Sequence, residues 1–295
     1  MILPTFIGIG AAKAGTTWIA TCLGEHPEIF MAPVKETEFW KFADAEARLD
    51  EYAAHFRGAR GEKAIGEFSV RYLFFPGVPE RLERVLPHAK LLCSLRNPID
   101  QVYSNYWHLQ RQNFNLHDVS QAPRSIEEAL REHRDFLLGP ARYATHLARW
   151  LEHFPREQLL VVRYDDIAHR PDQVLKRIFQ FLEVDPEFRA PSLTEKGSAV
   201  RRGTSPRSES AARLHTKFYG GLVRGVYTPL KHLLGTRRAM QMKDNLRIRP
   251  LMESLFMRRG YPPMNAETRA LLTREFANEV TELERLTGLD FKNWR

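Results

Sequence analysis

Only two cysteines occur in 295 residues, Cys22 and Cys93, far apart and each in an apolar setting. That excludes a disulfide framework and points to a reducing compartment. Neither sits in a spacing of Cys, His or acidic residues that would hold a metal, so no metal site is expected. No apolar run approaches the ~20 residues needed to cross a bilayer. The opening Met1-Ile2-Leu3-Pro4-Thr5-Phe6 lacks both the basic start and the apolar stretch of a secretory signal. A cytoplasmic location is the resulting expectation. Repeats, low-complexity tracts and linker-like segments are also missing, which favours one domain over residues 1–295. No interleaving of aromatic and basic residues dominates, and no nucleic-acid partner is expected.

Acidic residues are scarce in one place. Between Arg201 and Gly260 there are fourteen Lys/Arg against three Asp/Glu, while the rest of the chain holds 30 basic and 33 acidic residues. The whole net charge of +8 therefore comes from one segment. Such a segment suits anionic partners or forms a solvated basic surface. It reads as a basic, partly helical excursion at about 200–262, and its stretch 214–234 carries Leu222, Val223, Val226, Tyr227 and Leu230, enough for peripheral membrane contact.

Three apolar runs read as strands: residues 5–10, Lys90 to Leu95, and Gln158 to Tyr164. Helical sequence follows each. The first helix spans 16–24 and is stopped by His26-Pro27; after the second run Asn97 can cap and Pro98 sits at the first helical position. Pro171 opens an amphipathic stretch to Leu182, Ser125 caps one running to about Leu138, and Ala144, Leu147, Leu151 and Phe154 share a face. Leu272, Phe276, Val280, Leu283 and Leu286 mark a last helix. Strands alternating with helices predict an α/β three-layer sandwich around a central, mostly parallel sheet.

The strongest chemical signal is Gly10-Ala11-Ala12-Lys13-Ala14-Gly15-Thr16-Thr17, where a strand turns into a helix. Small residues let the backbone curl round an anion, and free N–H groups of the helix N-terminus point at it. This P-loop-like phosphate-binding turn departs from the nucleotide-triphosphate pattern, which needs lysine directly after the second glycine. Thr16 stands there, and the lysine lies inside the loop as Lys13. A glycine-rich turn with an exposed lysine is the plain alternative. The second signal is Arg96-Asn97-Pro98 through Ser104. Arg96 closes an apolar strand, where ligand sites open in parallel sheets, and its fork can clamp a phosphate. Asp165 and Asp166 after the third strand keep a metal-dependent nucleotide kinase or NTPase open, and the basic segment keeps open a non-catalytic anion-binding protein.

Together, and in this order, Ala12 to Thr17 and Arg96 to Ser104 resemble the 5′-phosphosulfate loop and the 3′-phosphate motif of sulfotransferases that use 3′-phosphoadenosine 5′-phosphosulfate (PAPS). His26-Pro27-Glu28-Ile29, Pro33 to Trp40, Gly66-Glu67-Phe68-Ser69 with Tyr72-Leu73, Phe154 to Leu159 with Tyr164-Asp165-Asp166, and Leu286 to Asp290 with Trp294 extend the likeness. It is nearest to the branch containing heparan-type carbohydrate sulfotransferases and their bacterial relatives, and thinnest over about 205–262.

The resemblance implies PAPS as donor, adenosine 3′,5′-bisphosphate as product and no metal. Lys13, with the amides of Ala14, Gly15, Thr16 and Thr17, would hold the 5′-phosphate. Arg96 and Ser104 would hold the 3′-phosphate. Glu36 would be the general base, with His108, one helical turn beyond Ser104, as its rival. The family's cofactor-closing loop falls on Arg201-Arg202-Gly203-Thr204, which makes Arg202 and Gly203 further candidates. The acceptor would be a small molecule, a carbohydrate or a lipid-linked group, attacked through a hydroxyl or an amine. Sequence does not decide among these, nor does it set the oligomeric state.

Overall fold

The computed structural model describes residues 1–111, 123, 125–194, 204–206, 255 and 257–295. The chain divides into two compact units. One comprises Met1–Asn105, Ser125–Arg201 and Asn265–Arg295; the other comprises Tyr106–Arg124 and Arg202–Met264 and takes in the excursion expected at about 200–262.

The first unit is built on strands β1 (Phe6–Gly10), β2 (Ile29–Met31), β3 (Ala64–Phe68), β4 (Lys90–Leu95) and β5 (Leu159–Arg163). They pair in the order β2-β3-β1-β4-β5, every pairing parallel. Alternate residues face opposite sides of such a sheet. Phe6, Phe68, Leu92 and Val162 enter one cluster with Trp18, Ile19, Cys22 and Leu23 of α1 (Thr16–Gly24). Val174, Leu175, Ile178 and Phe179, from a helix over Pro171–Leu182, complete that cluster. Ile7, Ile9, Leu91, Cys93 and Val161 are as deeply buried on the other side. Both faces are therefore covered, which is the arrangement a parallel sheet requires.

Further helices follow in chain order: α2 (Leu49–Ala53), α3 (Val78–Val85), α4 (Pro98–Arg111), α5 (Ile126–Glu132), α6 (Arg134–Leu138), α7 (Tyr143–Leu151), α8 (Tyr164–His169), α9 (Pro171–Leu182), α10 (Pro191–Thr194) and α11 (Ala266–Thr287). Asn97 caps α4 as expected, its Oδ1 accepting from Ile99 N at 3.0 Å. Ser125 caps α5 through the Glu128 amide. The single helix expected from Ser125 to Leu138 is in fact two. His133, at φ −134° and ψ 38°, leaves the helical region, and the second piece carries Arg134 to a 2.5 Å pairing with Glu275 of α11.

Two strands have no signature in the sequence. β2 is three residues long, and β3 reads Ala-Ile-Gly-Glu-Phe, with a glycine and a carboxylate where an apolar run would advertise a buried strand. The glycine is a packing device. Gly66 lies opposite Phe6 and Gly8 opposite Phe68, and a Cβ on either glycine would fall within 2.5 Å of the facing ring. The two strands exchange rings for empty space.

In the second unit β6 (Thr204–Pro206) pairs antiparallel with β7 (Met257–Arg259), and Ser205 Oγ donates to Gly260 O at 2.8 Å. Within the same unit the rings of Trp107 and Tyr261 stack at 6.1 Å. No helix among the described residues is long and apolar enough to cross a membrane. The expected membrane-contacting stretch 214–234 lies outside the described residues.

Candidate functional site

β1 sends the chain to one side of the sheet, through α1 to β2 at the edge, whereas β4 sends it to the other side, toward β5. A crevice opens at the carboxyl ends of two neighbouring strands that diverge in this way. The Lys13 loop follows β1, and Arg96 follows β4, so the two strongest sequence signals flank that crevice.

The loop is pinned from the β4 side. Ser94 Oγ donates to Ala14 O at 2.5 Å, Arg96 Nη1 to Lys13 O at 3.4 Å, and Gln101 Nε2 to Ala12 O at 3.4 Å. Each of three successive carbonyls is thereby drawn toward β4 or α4. In a trans peptide the next N–H points the opposite way. The amides of Lys13, Ala14 and Gly15 therefore turn away from these pins, forming a run of N–H groups that continues toward Thr16 and Thr17 at the N-terminus of α1. Left-handed residues make this bend: Lys13 has φ 66° and Gly15, the cap of α1, φ 86°. A Cβ at Gly15 would also lie 3.2 Å from Tyr164 and 3.3 Å from Ile167. The result is a concave backbone surface with the N-terminal partial charge of a helix behind it.

Arg96 stacks on Tyr164, whose ring centroid is 4.9 Å from the guanidinium carbon. Its Nε is buried and has no hydrogen-bond partner among the described residues. A buried donor left in that state is costly unless a ligand completes it. Together with the nest of amides, this makes the residues present a fit for an anion or a pair of anions. Ser104 is buried on α4, eight residues beyond Arg96.

Glu36 stands at the same edge of the sheet, since its amide donates to the carbonyl of Phe68, the last residue of β3, at 2.8 Å. Its carboxylate meets Lys35 Nζ at 2.6 Å and is partly exposed. Glu36 and Glu38 both take left-handed φ, 64° and 55°, so the segment is neither helix nor strand. Glu38 is bound by Lys41 and, at 3.2 Å, by Arg71. His108 lies on α4 one turn beyond Ser104 and belongs to the second unit. Arg202 and Gly203 lie outside the described residues.

Sequence reasoning gives no sign of several participants. Ser94 sits within an apolar strand and Gln101 inside a helix, both fully buried, and only the fold brings them beneath the loop. Tyr164 is marked in the sequence only by its strand end and by the family likeness, neither of which gives it a role. Asp165 and Asp166 are engaged elsewhere: Asp165 accepts from Trp294 Nε1 at 2.8 Å, and Asp166 is forked by Arg163 at 2.8 and 2.9 Å. Among the described residues there is no group of three His, Cys, Asp or Glu able to hold a metal ion. Burial pushes the Cys22 thiol up to about 12 and raises Cys93 as well, so neither is poised as a nucleophile.

Residues 4–197 match the Sulfotransferase domain family. The chain belongs to that family. Among curated sulfotransferase relatives, it is 32% identical over 197 residues to the human bifunctional heparan sulfate N-deacetylase/N-sulfotransferase 2, covering 62% of this chain and 22% of that protein. The Drosophila melanogaster bifunctional heparan sulfate N-deacetylase/N-sulfotransferase is 29% identical over 212 residues, covering 62% and 20%. The chain thus spans about a fifth of the length of these relatives. The crystal structure of a sulfotransferase from Alicyclobacillus acidocaldarius superposes with a TM-score of 0.66 at 25% identity, covering 100% of both chains. The α/β architecture with its mostly parallel sheet agrees with the sulfotransferase family.

Proposed function

We propose that this chain transfers a sulfuryl group from PAPS to an acceptor, with Glu36 as general base. The observation that supports the reading is the hydrogen bond from Arg96 Nη1 to the Lys13 carbonyl at 3.4 Å, which brings the strand-end arginine beside the glycine-rich loop. That pairing suits a ligand with two separate phosphates, such as adenosine 3′,5′-bisphosphate. PAPS, when bound, supplies an activated sulfuryl group whose departure leaves that bisphosphate.

The chain's own part is positioning and charge. The amides of Ala14 to Thr17 and the Lys13 ammonium bind the 5′ side and offset negative charge as it gathers on the departing phosphate. Arg96 and Ser104 take the 3′-phosphate. Glu36 accepts the proton of the attacking hydroxyl or amine. The names of the curated relatives favour a carbohydrate amine as acceptor. No metal is required in this reading. A metal-dependent kinase has less support because Asp165 and Asp166 are both occupied by side chains of the fold.

A transfer assay with labelled PAPS against a panel of amino sugars, hydroxylated sugars and lipid-linked acceptors tests the proposal, with the added sulfate read by mass spectrometry. Glu36→Gln should keep nucleotide binding and lose turnover by about 10² or more, the scale of a general base. Near-normal turnover in that variant would pass the role to His108. Binding of ATP with magnesium, and not of the bisphosphate, would overturn the proposal as a whole.

A further inference from the structure

Glu67 is a carboxylate near the end of β3 with 1% of its surface exposed, and among the described residues no cation pairs with it. Four hydroxyls surround it. Thr37 Oγ1 donates to its Oε1 at 3.0 Å, Tyr72 OH at 3.0 Å and Tyr52 OH at 3.1 Å, while Ser69 Oγ donates to Oε2 at 2.7 Å. Three of the same oxygens also accept backbone amides, and these belong to consecutive residues. Ser69 Oγ accepts from Glu38 N at 3.1 Å, Thr37 Oγ1 from Phe39 N at 3.5 Å, and Tyr72 OH from Trp40 N at 3.3 Å. An ionised carboxylate is an acceptor only. With all four hydroxyl protons turned toward Glu67, the lone pairs of the oxygens are left for the loop amides.

The amides held in this way begin two residues after Glu36, in a segment whose two left-handed residues are intrinsically disfavoured by about 1–2 kcal/mol each. We infer that Glu67 is a positioning residue: it orients a ring of hydroxyls that fixes the Glu36–Trp40 loop and so aims the Glu36 carboxylate. The functional part of this rests on Glu36 acting as base; the hold on the loop does not. Burial raises the Glu67 carboxyl above its ordinary range, partly countered by the four hydroxyls, which fits a group retained for orientation.

Glu67→Gln keeps the shape but puts an NH2 donor against hydroxyl donors, so at least one hydroxyl must reverse. In the full-length protein, amide hydrogen exchange at Glu38, Phe39 and Trp40 should rise about tenfold or more, with the amides of β1 and β4 unchanged. Turnover should fall about tenfold, with the KM for PAPS within about twofold, the pattern of a misaimed group. The loss should vanish in a Glu36→Gln background, because a residue acting through another adds nothing once that other is gone. Tyr72→Phe removes one hydroxyl and should free the Trp40 amide selectively, should Glu67→Gln fold poorly.

Unchanged exchange at residues 38–40 in both variants would overturn the inference, as would losses that multiply with Glu36→Gln. If Glu36→Gln turns over normally while Glu67→Gln frees the amides and slows turnover, the assignment of the base fails and the hold on the loop stands.

Discussion

Gly15→Ala probes the Lys13 loop where backbone and packing meet. At φ 86° and ψ 5° an alanine suffers the left-handed penalty of about 1–2 kcal/mol. Its methyl would also come to 3.2 Å from Tyr164 and 3.3 Å from Ile167, crowding that typically costs about 1–3 kcal/mol. Gly61 and Gly288 are internal controls. Both have positive φ, 100° and 68°, yet a Cβ at either meets nothing within 4 Å, so Gly61→Ala and Gly288→Ala suffer the backbone penalty alone. At about 2–4 °C per kcal/mol, the controls should lose about 2–8 °C in Tm and Gly15→Ala about twice that. Affinity separates them further. A displaced Tyr164 also shifts Arg96, so Gly15→Ala should weaken binding of adenosine 3′,5′-bisphosphate by about tenfold or more in titration calorimetry, close to 1.4 kcal/mol. The controls should bind normally. If Gly15→Ala matched Gly61→Ala in both Tm and affinity, the loop would be no cradle and its left-handed turn merely a bend.

Arg96→Ala should weaken the same nucleotide by about 10²-fold, the loss of charge-assisted bonds worth about 1.5–3 kcal/mol, and Arg96→Lys should recover little because an ammonium cannot fork; affinity within threefold of wild type in calorimetry would refute this. Glu67 gives a pH signature. Its folded-state carboxyl is raised by burial, so the folded protein holds that proton more tightly than the unfolded chain, and stability should fall as pH rises from the ordinary 4.5 toward the raised value. Of the groups that contact the carboxylate, Tyr52 and Tyr72 are the titratable ones, both pushed up by the same burial, so neither ionises in that window. Urea titrations across this range should show the slope in wild type and a shallower one in Glu67→Gln; identical slopes would remove Glu67 as its source.

Legibility in the sequence followed the physics of each element. β4 is a continuous apolar run, α9 opens at Pro171, and α4 is announced by Asn97-Pro98, so all three are found where expected. The glycine-rich Lys13 turn was legible because a strand-to-helix bend with left-handed residues constrains local residue types. β3 was not, because it buries a charge and trades a side chain for the Phe6 ring, both invisible without the neighbouring strand. The hydroxyl ring was equally hidden: Thr37, Tyr52 of α2, and Ser69 and Tyr72 of the turn after β3 converge only through the buried Glu67. The break at His133 has no Pro or Gly to mark it and is recognised through the pairing of Arg134 with Glu275.

Calorimetric titration of the protein with adenosine 3′,5′-bisphosphate in EDTA tests the two-sided crevice most directly, with Lys13→Ala and Arg96→Ala titrated alongside. Saturable one-to-one binding without metal, weakened in both variants, is the result expected if the two flanks grip one ligand. Heat that survives either substitution unchanged, or that arises only from ATP with magnesium, would contradict it.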